Sequence, residues 1–332
     1  MKHLKTLFCK LSLFTLVLVT LTLLTLTLTG CSKNDNDYTE TITPPSAQQF
    51  AGVRAQSLEN ITQHFEFNAD DGNITLTTTN GVKISITANC LTKNGVDISG
   101  TVDLEYVEIF EKGNMITTNK PTMGIMQNGD KALLITGGEF FFEATQNGVP
   151  LEINCPILII VPTSLTGGED PEMIMWNGII DEDGDLAWDE EEQRDGKAGV
   201  FVEEGNYYAF VQNFGWTNID RFYSDPRPKT TIKVQPPTGY NYNNSAVYLS
   251  YDGESSALAQ LDTFNDGLFS EHYGQIPLGL KAHLLFVTED NGLWRYKIKA
   301  ITIAENQMTS FTIEETTTAT EAELISIINS LP

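Results

Sequence analysis

The chain has 332 residues and carries 44 acidic against 20 basic side chains, a net charge of −24. That balance speaks against nucleic acid as a partner and against a basic patch as a membrane anchor. The length exceeds one typical domain and predicts two.

Lys2, Lys5 and Lys10 lead into an uncharged, apolar run over residues 11–30, which Leu28-Thr29-Gly30-Cys31 closes. Basic, then apolar, then small is the layout of a secretory signal. About 20 apolar residues also suffice to span a bilayer as a helix. The last four residues favour the signal, because Leu-Thr-Gly-Cys resembles the lipobox of bacterial lipoproteins. That resemblance implies a diacylglycerol on the Cys31 thiol, with Cys31 as the first mature residue. The expected membrane partner is therefore the lipid bilayer, reached through acylated Cys31 and held firmly only when two or more chains insert. Residues 1–30 form the signal, and the 302 residues from Cys31 keep 17 bases against 44 acids, or −27.

Ser32 rather than Asp follows the cysteine, so the familiar inner-membrane retention signal is absent. Residues 33–37 resemble the export signal of Bacteroidota surface lipoproteins, with Asn34 and Asn36 interrupting the acids. The expected location is the outer membrane at the cell surface, with the periplasmic face as the alternative. Residues 31–47 are polar, acidic and broken by Pro44-Pro45, which predicts a flexible tether. Cys90 and Cys155 remain in the body, free either to pair or to serve as two small buried hydrophobes.

A short helix is predicted over residues 46–60, capped by Ser46, with Phe50, Val53 and Ser57 on one side. From Ile61 the period changes to two. Residues 74–77 and 82–86 alternate around Asn80-Gly81, a hairpin signal. Strands follow at 102–109, 139–145 and 151–161, with a turn at Asn147-Gly148 and a bulge at Gly137-Gly138. Ile157-Leu-Ile-Ile-Val161 is apolar throughout and predicts a central strand buried on both faces. The pattern is that of a β-sandwich over residues 48–225.

Ile84-Ser-Ile-Thr-Ala-Asn89, Gly100-Thr-Val102, Met115-Ile116, Pro121-Thr122 and Gly137-Gly-Glu-Phe-Phe-Phe-Glu-Ala144 resemble a family of Bacteroidota lipoproteins. They are more distantly similar to the β-sandwich of ankyrins and netrin receptors. The close resemblance continues through Phe214-Gly-Trp-Thr-Asn-Ile-Asp-Arg-Phe222 and implies a fold and a location. It transfers no catalytic residue.

Residues 169–195 hold twelve acids and one Arg. Within them, residues 181–192 place acids at positions 1, 3, 5, 9 and 12 of a calcium-loop pattern. The sixth position needs Gly for the sharp turn, and Leu186 stands there. A hairpin turn at Asp183-Gly184 with a solvated acidic loop, holding no metal, is the preferred reading. Trp216, Phe222 and Tyr223 beside Asp220 and Arg221 suggest either a sugar-stacking platform or a core corner with an Asp–Arg pair. The corner is preferred, since large aromatics mostly serve packing.

Asp225-Pro-Arg-Pro228 is the predicted domain boundary. Strands follow at 230–234, 246–250, 258–261, 282–287 and 294–303. Asp266-Gly-Leu-Phe269 and Ile276-Pro-Leu-Gly279 resemble the transthyretin-like, carboxypeptidase-regulatory-like sandwich, here residues 229–332. Residues 320–331 predict a terminal helix with a Thr320–Glu323 capping box. The fold class expected is mainly β, two β-sandwich domains with a short C-terminal helix.

His64, His272 and His283 are scattered, and the sequence has no HExxH, GxSxG, phosphate loop, GxGxxG or CxxC. No catalytic residue, cofactor or metal is assigned; Cys31 is the single site residue. The expected function is a non-catalytic binding or adhesion module of the envelope, contacting a protein or glycan. A structural subunit of an envelope assembly is the alternative, and a carboxylate-based hydrolase ranks lowest.

Overall fold

Ser46 opens the first helix with a reciprocal cap. Its hydroxyl accepts from the Gln49 amide, and the Gln49 side chain accepts from the Ser46 amide, so two donors at the helix start are satisfied. The computed structural model describes residues 42–180, 184–191 and 199–332. Cys31, the signal and most of the tether lie outside the described residues, as do Asp181, Asp183 and Glu192.

Helix α1 (Ala47–Ile61) is followed by β1 (Gln63–Asn68), β2 (Asn73–Thr77), β3 (Lys83–Thr87), β4 (Leu91–Lys93), β5 (Val96–Asp97) and β6 (Thr101–Ile109). After α2 (Lys112–Thr118) come β7 (Met123–Ile125), β8 (Lys131–Gln146), β9 (Val149–Pro150), β10 (Glu152–Ile153) and β11 (Ile157–Pro162). Then follow β12 (Ile174–Ile180), β13 (Leu186–Glu190), β14 (Val200–Glu203), β15 (Asn206–Val211) and β16 (Gly215–Phe222). Beyond the proline connector lie β17 (Lys229–Gln235), β18 (Ser245–Tyr251), β19 (Ala259–Gln260), β20 (Thr263–Asn265) and β21 (Leu268–Pro277). The chain ends with β22 (Lys281–Asp290), β23 (Leu293–Thr302), β24 (Gln307–Ser310), β25 (Thr317–Ala319) and α3 (Glu321–Asn329). The protein is mainly β.

Two pairs of facing sheets make sandwich-like layers. In the first, β14-β15-β11-β3-β2 faces the β1-β6-β8 part of a larger sheet. Ile84, Ile86, Ile159, Val161 and Tyr207 meet Leu104, Tyr106, Phe140 and Phe142 between them. In the second, β20-β21-β17-β24 faces β19-β18-β22-β23-β25, with Ile232, Val234 and Phe269 against Val247, Leu249, Leu284 and Phe286. Strands before the connector pair only among themselves, and so do those after it. Residues from Thr43 to the end nevertheless form one compact unit.

The larger sheet also closes on itself. Strand β8 is 16 residues long and pairs with β6, β16 and β7 along its length. The order β8-β16-β12-β13-β7 therefore returns to β8 as a small barrel. Leu134, Trp176, Leu186 and Trp188 form its own core. Both indole N–H groups are satisfied: Trp176 donates to the Asp220 carbonyl at 2.9 Å, and Trp188 to the Pro121 carbonyl at 3.1 Å. Gly178 passes where an added Cβ would collide with Trp216 and Leu186. At Gly138 the backbone has φ +135°, and a Cβ would strike the Phe110 and Phe140 rings. This is the predicted Gly137-Gly138 irregularity, and the β8–β16 register shifts beside it.

Two expectations need correction. Strand β11 is central, paired by β3 and β15, but only Ile157, Ile159 and Val161 are fully buried. Leu158 and Ile160 are half-buried, because Leu158 lies opposite Ser85 and the exposed Phe210. Asp220 and Arg221 do not pair, since neighbouring strand residues face opposite sides. Arg221 Nε instead donates to Asp170 Oδ2 at 2.5 Å, while Asp220 is fully buried.

Candidate functional site

A cavity opens beside α1. It encloses about 350 Å³ between that helix, residues 118–120, the turn at Gly184-Asp185, residues 242–246 and Gln260. The helix supplies an apolar wall of Phe50, Ala51, Ala55 and Leu58 together with one cation, Arg54. The guanidinium lies 4.0 Å above the Phe50 ring.

A single hydrogen-bonded chain runs around the cleft. Arg54 Nη2 donates to the Tyr248 hydroxyl at 3.2 Å, and that hydroxyl donates to Asn119 Oδ1 at 2.5 Å. Asn119 Nδ2 donates to Asp185 Oδ1 at 3.3 Å, and the Tyr242 hydroxyl donates to Asp185 Oδ2. Asn119 reaches this position because it ends α2 in the left-handed conformation, φ +56°, which Asn tolerates better than most residues. The next residue, Lys120, lines the floor with Nζ 5.2 Å from the Trp216 ring centre.

Beneath Lys120 lie two carboxyls, Glu139 and Asp220, both fully buried. Asn218 Nδ2 donates to Asp220 Oδ2 at 2.5 Å, and Thr136 Oγ1 donates to Asn218 Oδ1 at 2.8 Å. Both Glu139 oxygens and Asp220 Oδ1 have no hydrogen-bond partner among the described residues. Burial pushes the Glu139 carboxyl well up; the Asp220 charge adds to that, and Lys120 opposes it. Burial likewise raises Asp220 and pulls the Lys120 ammonium down. Glu108 is a useful contrast. It is also buried, but accepts from Thr78, Tyr106, Gln63 and Asn80, and so pins the Asn80-Gly81 turn onto β6.

The unpartnered pair makes stability depend on pH with a defined sign. A raised carboxyl holds its proton in the folded state to higher pH than in the unfolded chain. Its favourable contribution is complete below the ordinary value of 4.5 and falls as pH rises through the folded value. Glu271, pushed up to about 7 by burial, acts in the same direction. Glu139→Gln keeps the shape and removes the titration. It is expected to stabilise the fold at about pH 8 by on the order of 1–3 kcal/mol and to flatten the loss of Tm between about pH 5 and 8. Thermal melts across that range check it, and equal pH slopes in both proteins would acquit Glu139.

The acidic turn is the predicted hairpin. Strands β12 and β13 pair antiparallel across it, and Gly184 takes φ +86°. Leu186 begins β13 and is buried in the barrel core, so the position that a calcium loop gives to Gly is used for packing. Asp185 turns toward Asn119 and Tyr242 in the cleft. The aromatic group is divided: Trp216 faces Phe141 and Trp188, Phe222 packs on Trp176, and Tyr223 meets Tyr251. Cys90 and Cys155 are joined as a disulfide. Sequence reasoning missed Arg54, Asn119, Lys120, Tyr242 and Gln260. One signal was available, since Arg54 is the single base between Lys33 and Lys83. No protein-family model matches the chain, and no curated protein is found similar to it.

Proposed function

We propose that the chain is an exported lipoprotein, tied to the outer membrane through acylated Cys31, whose body is a non-catalytic binding module. The observation that carries the binding reading is the cleft beside α1. Five side chains from separate segments, Arg54, Tyr248, Asn119, Asp185 and Tyr242, join into one hydrogen-bonded chain around it. Preorganised polar groups on an apolar wall are what a ligand site requires. The resemblance to Bacteroidota lipoproteins with an ankyrin- or netrin-receptor-like sandwich and a transthyretin-like second domain supports the anchor and the surface location.

A second reading, a structural subunit of an envelope assembly, is favoured by one feature. Phe201 on edge strand β14 is 51% exposed and stacks edge-on with exposed Phe210. An edge that no described strand covers can accept another strand.

The test is made in cells. Lipid labelling is expected for wild type and lost in Cys31→Ala, and protease is expected to shave the body from intact cells. Resistance to shaving until the outer membrane is broken would place the body in the periplasm. Crosslinked pull-down from membranes is expected to recover a partner that Arg54→Gln and Tyr242→Phe release. If the partner is released only by Phe201→Ser, the assembly reading replaces the cleft. Robust turnover in a broad glycan and peptide hydrolysis screen would overturn the non-catalytic reading.

A further inference from the structure

The strongest feature of the cleft is its charge. The chain is strongly acidic, and five of its fourteen described Lys and Arg side chains are ion-paired. Lys131, Arg221, Arg227, Arg295 and Lys299 each hold a carboxylate at 2.5–2.9 Å. Arg54 and Lys120 belong to the other nine and are the two that meet at this cleft. Neither forms an ion pair among the described residues, yet both line the same cavity. Arg54 Nε is buried with no hydrogen-bond partner. Lys120 Nζ makes one long hydrogen bond, to the Thr118 carbonyl at 3.4 Å, which leaves most of its donor capacity unused.

Arg54 on α1 and Lys120 just after α2 are both half-buried, with the Asp185 carboxylate on the same wall and Glu139 beneath Lys120 as the nearest acids, and no ion pair joins either acid to either base among the described residues. An anion between the two bases would supply the missing acceptors. The rest of the wall restricts which anion fits. Gln260, Asn243, Tyr242 and Asp185 offer both donors and acceptors around the cavity, the pattern that recognises hydroxyl groups. The apolar α1 wall suits the carbon face of a ring. A volume of about 350 Å³ sits at the small end of ligand pockets and admits one or two sugar rings. The net charge of −24 does not forbid an anion here, because salt screens the distant acids beyond about 8–10 Å.

We propose that the cleft binds an acidic sugar, its carboxylate held by Arg54 and Lys120 and its hydroxyls by the Asp185, Tyr242 and Gln260 rim. This rests on the binding reading given above and names its ligand class. Arg54 would provide a planar fork for the carboxylate and Lys120 a point charge beneath it.

The experiment is calorimetric titration of the purified full chain with glucuronate, N-acetylneuraminate, glucose and inorganic phosphate. At least one acidic sugar is expected to bind with Kd below about 1 mM, and glucose at least about ten-fold more weakly. Arg54→Gln and Lys120→Gln are each expected to lose about ten-fold or more in that affinity. Lys120 is half-buried above the Glu139 and Asp220 carboxyls and its replacement can disturb folding, so Arg54→Gln, on a partly exposed helix face, carries the test alone if Lys120→Gln fails to melt cooperatively. Unchanged affinity in a folded Arg54→Gln overturns the proposal. So does the absence of acidic-sugar binding at about 10 mM, and so does phosphate binding as tightly as the sugars, which would mean that charge alone is read. Glucose binding as tightly as glucuronate overturns the carboxylate assignment while leaving a ligand-binding cleft. The membrane pull-down tests that broader reading separately.

Discussion

Replacing Cys90 and Cys155 together by serine is expected to lower the stability of the folded chain by about 4 kcal/mol. The two residues are 65 apart in sequence, and their Cα atoms lie 5.7 Å apart. The 3-10 turn Ala88–Cys90 brings one to the loop, and the β4–β10 pairing brings the other, with the Asn154 amide donating to the Cys90 carbonyl at 2.9 Å. Both cysteines are half-buried, so exchanging sulfur for oxygen removes little packing. The loss comes instead from the unfolded chain, which regains the freedom of a loop containing β6, α2 and β8. Chemical denaturation with and without reductant measures it. Wild type under reductant and the double variant are expected to share one lowered midpoint. Midpoints that do not move would mean that the bond contributes nothing. The same bond suits an exported protein, where disulfides persist.

What the sequence made legible was local. The Ser46 and Thr320–Glu323 caps, the Asn80-Gly81 hairpin and the Gly184 turn all rest on side chains a few residues apart. The small barrel was not legible. Its closure depends on one parallel contact between Gly124 and Trp188, 64 positions apart, and nothing near either residue announces the other. The Cys90–Cys155 bond was open for the same reason. The cleft was hidden more thoroughly. Arg54, Lys120, Asp185, Tyr242 and Gln260 come from five segments, and each is an ordinary residue in its own neighbourhood. Alternation also misled at β16, where sequence adjacency suggested an Asp220–Arg221 pair that strand geometry turns to opposite faces.

Residues 229–332 expressed alone are expected to give a broad, weakly cooperative melt with dye-binding apolar surface. Their strands pair only with one another. The outer face of their larger sheet, however, is not self-sufficient. Tyr248, Leu285, Val287 and Trp294 are all buried in a cluster completed by Phe50 of α1, Val107 and Ile109 of β6, and Met115 and Ile116 of α2. Leu324 and Ile328 of α3 join the same cluster. That terminal helix is itself held by the first half: the Gly113 amide donates to Asn329 Oδ1 at 2.8 Å, and Asn60 Nδ2 donates to Glu321 Oε2 at 2.7 Å. The segment before β19 is stitched to the strands around the barrel, with the Leu258 amide donating to Thr122 Oγ1 at 2.8 Å and the Thr136 amide to the Ser256 carbonyl at 3.1 Å. Re-exposing each large apolar side chain costs roughly 1.5–3 kcal/mol. Four of them would consume most of the 5–15 kcal/mol that typically holds a domain folded. The full chain is therefore expected to melt in one transition by both fluorescence and circular dichroism, with coincident midpoints. A sharp melt of the isolated fragment, or two separated transitions in the full chain, would show that the shared cluster is a contact between independent units and not a common core.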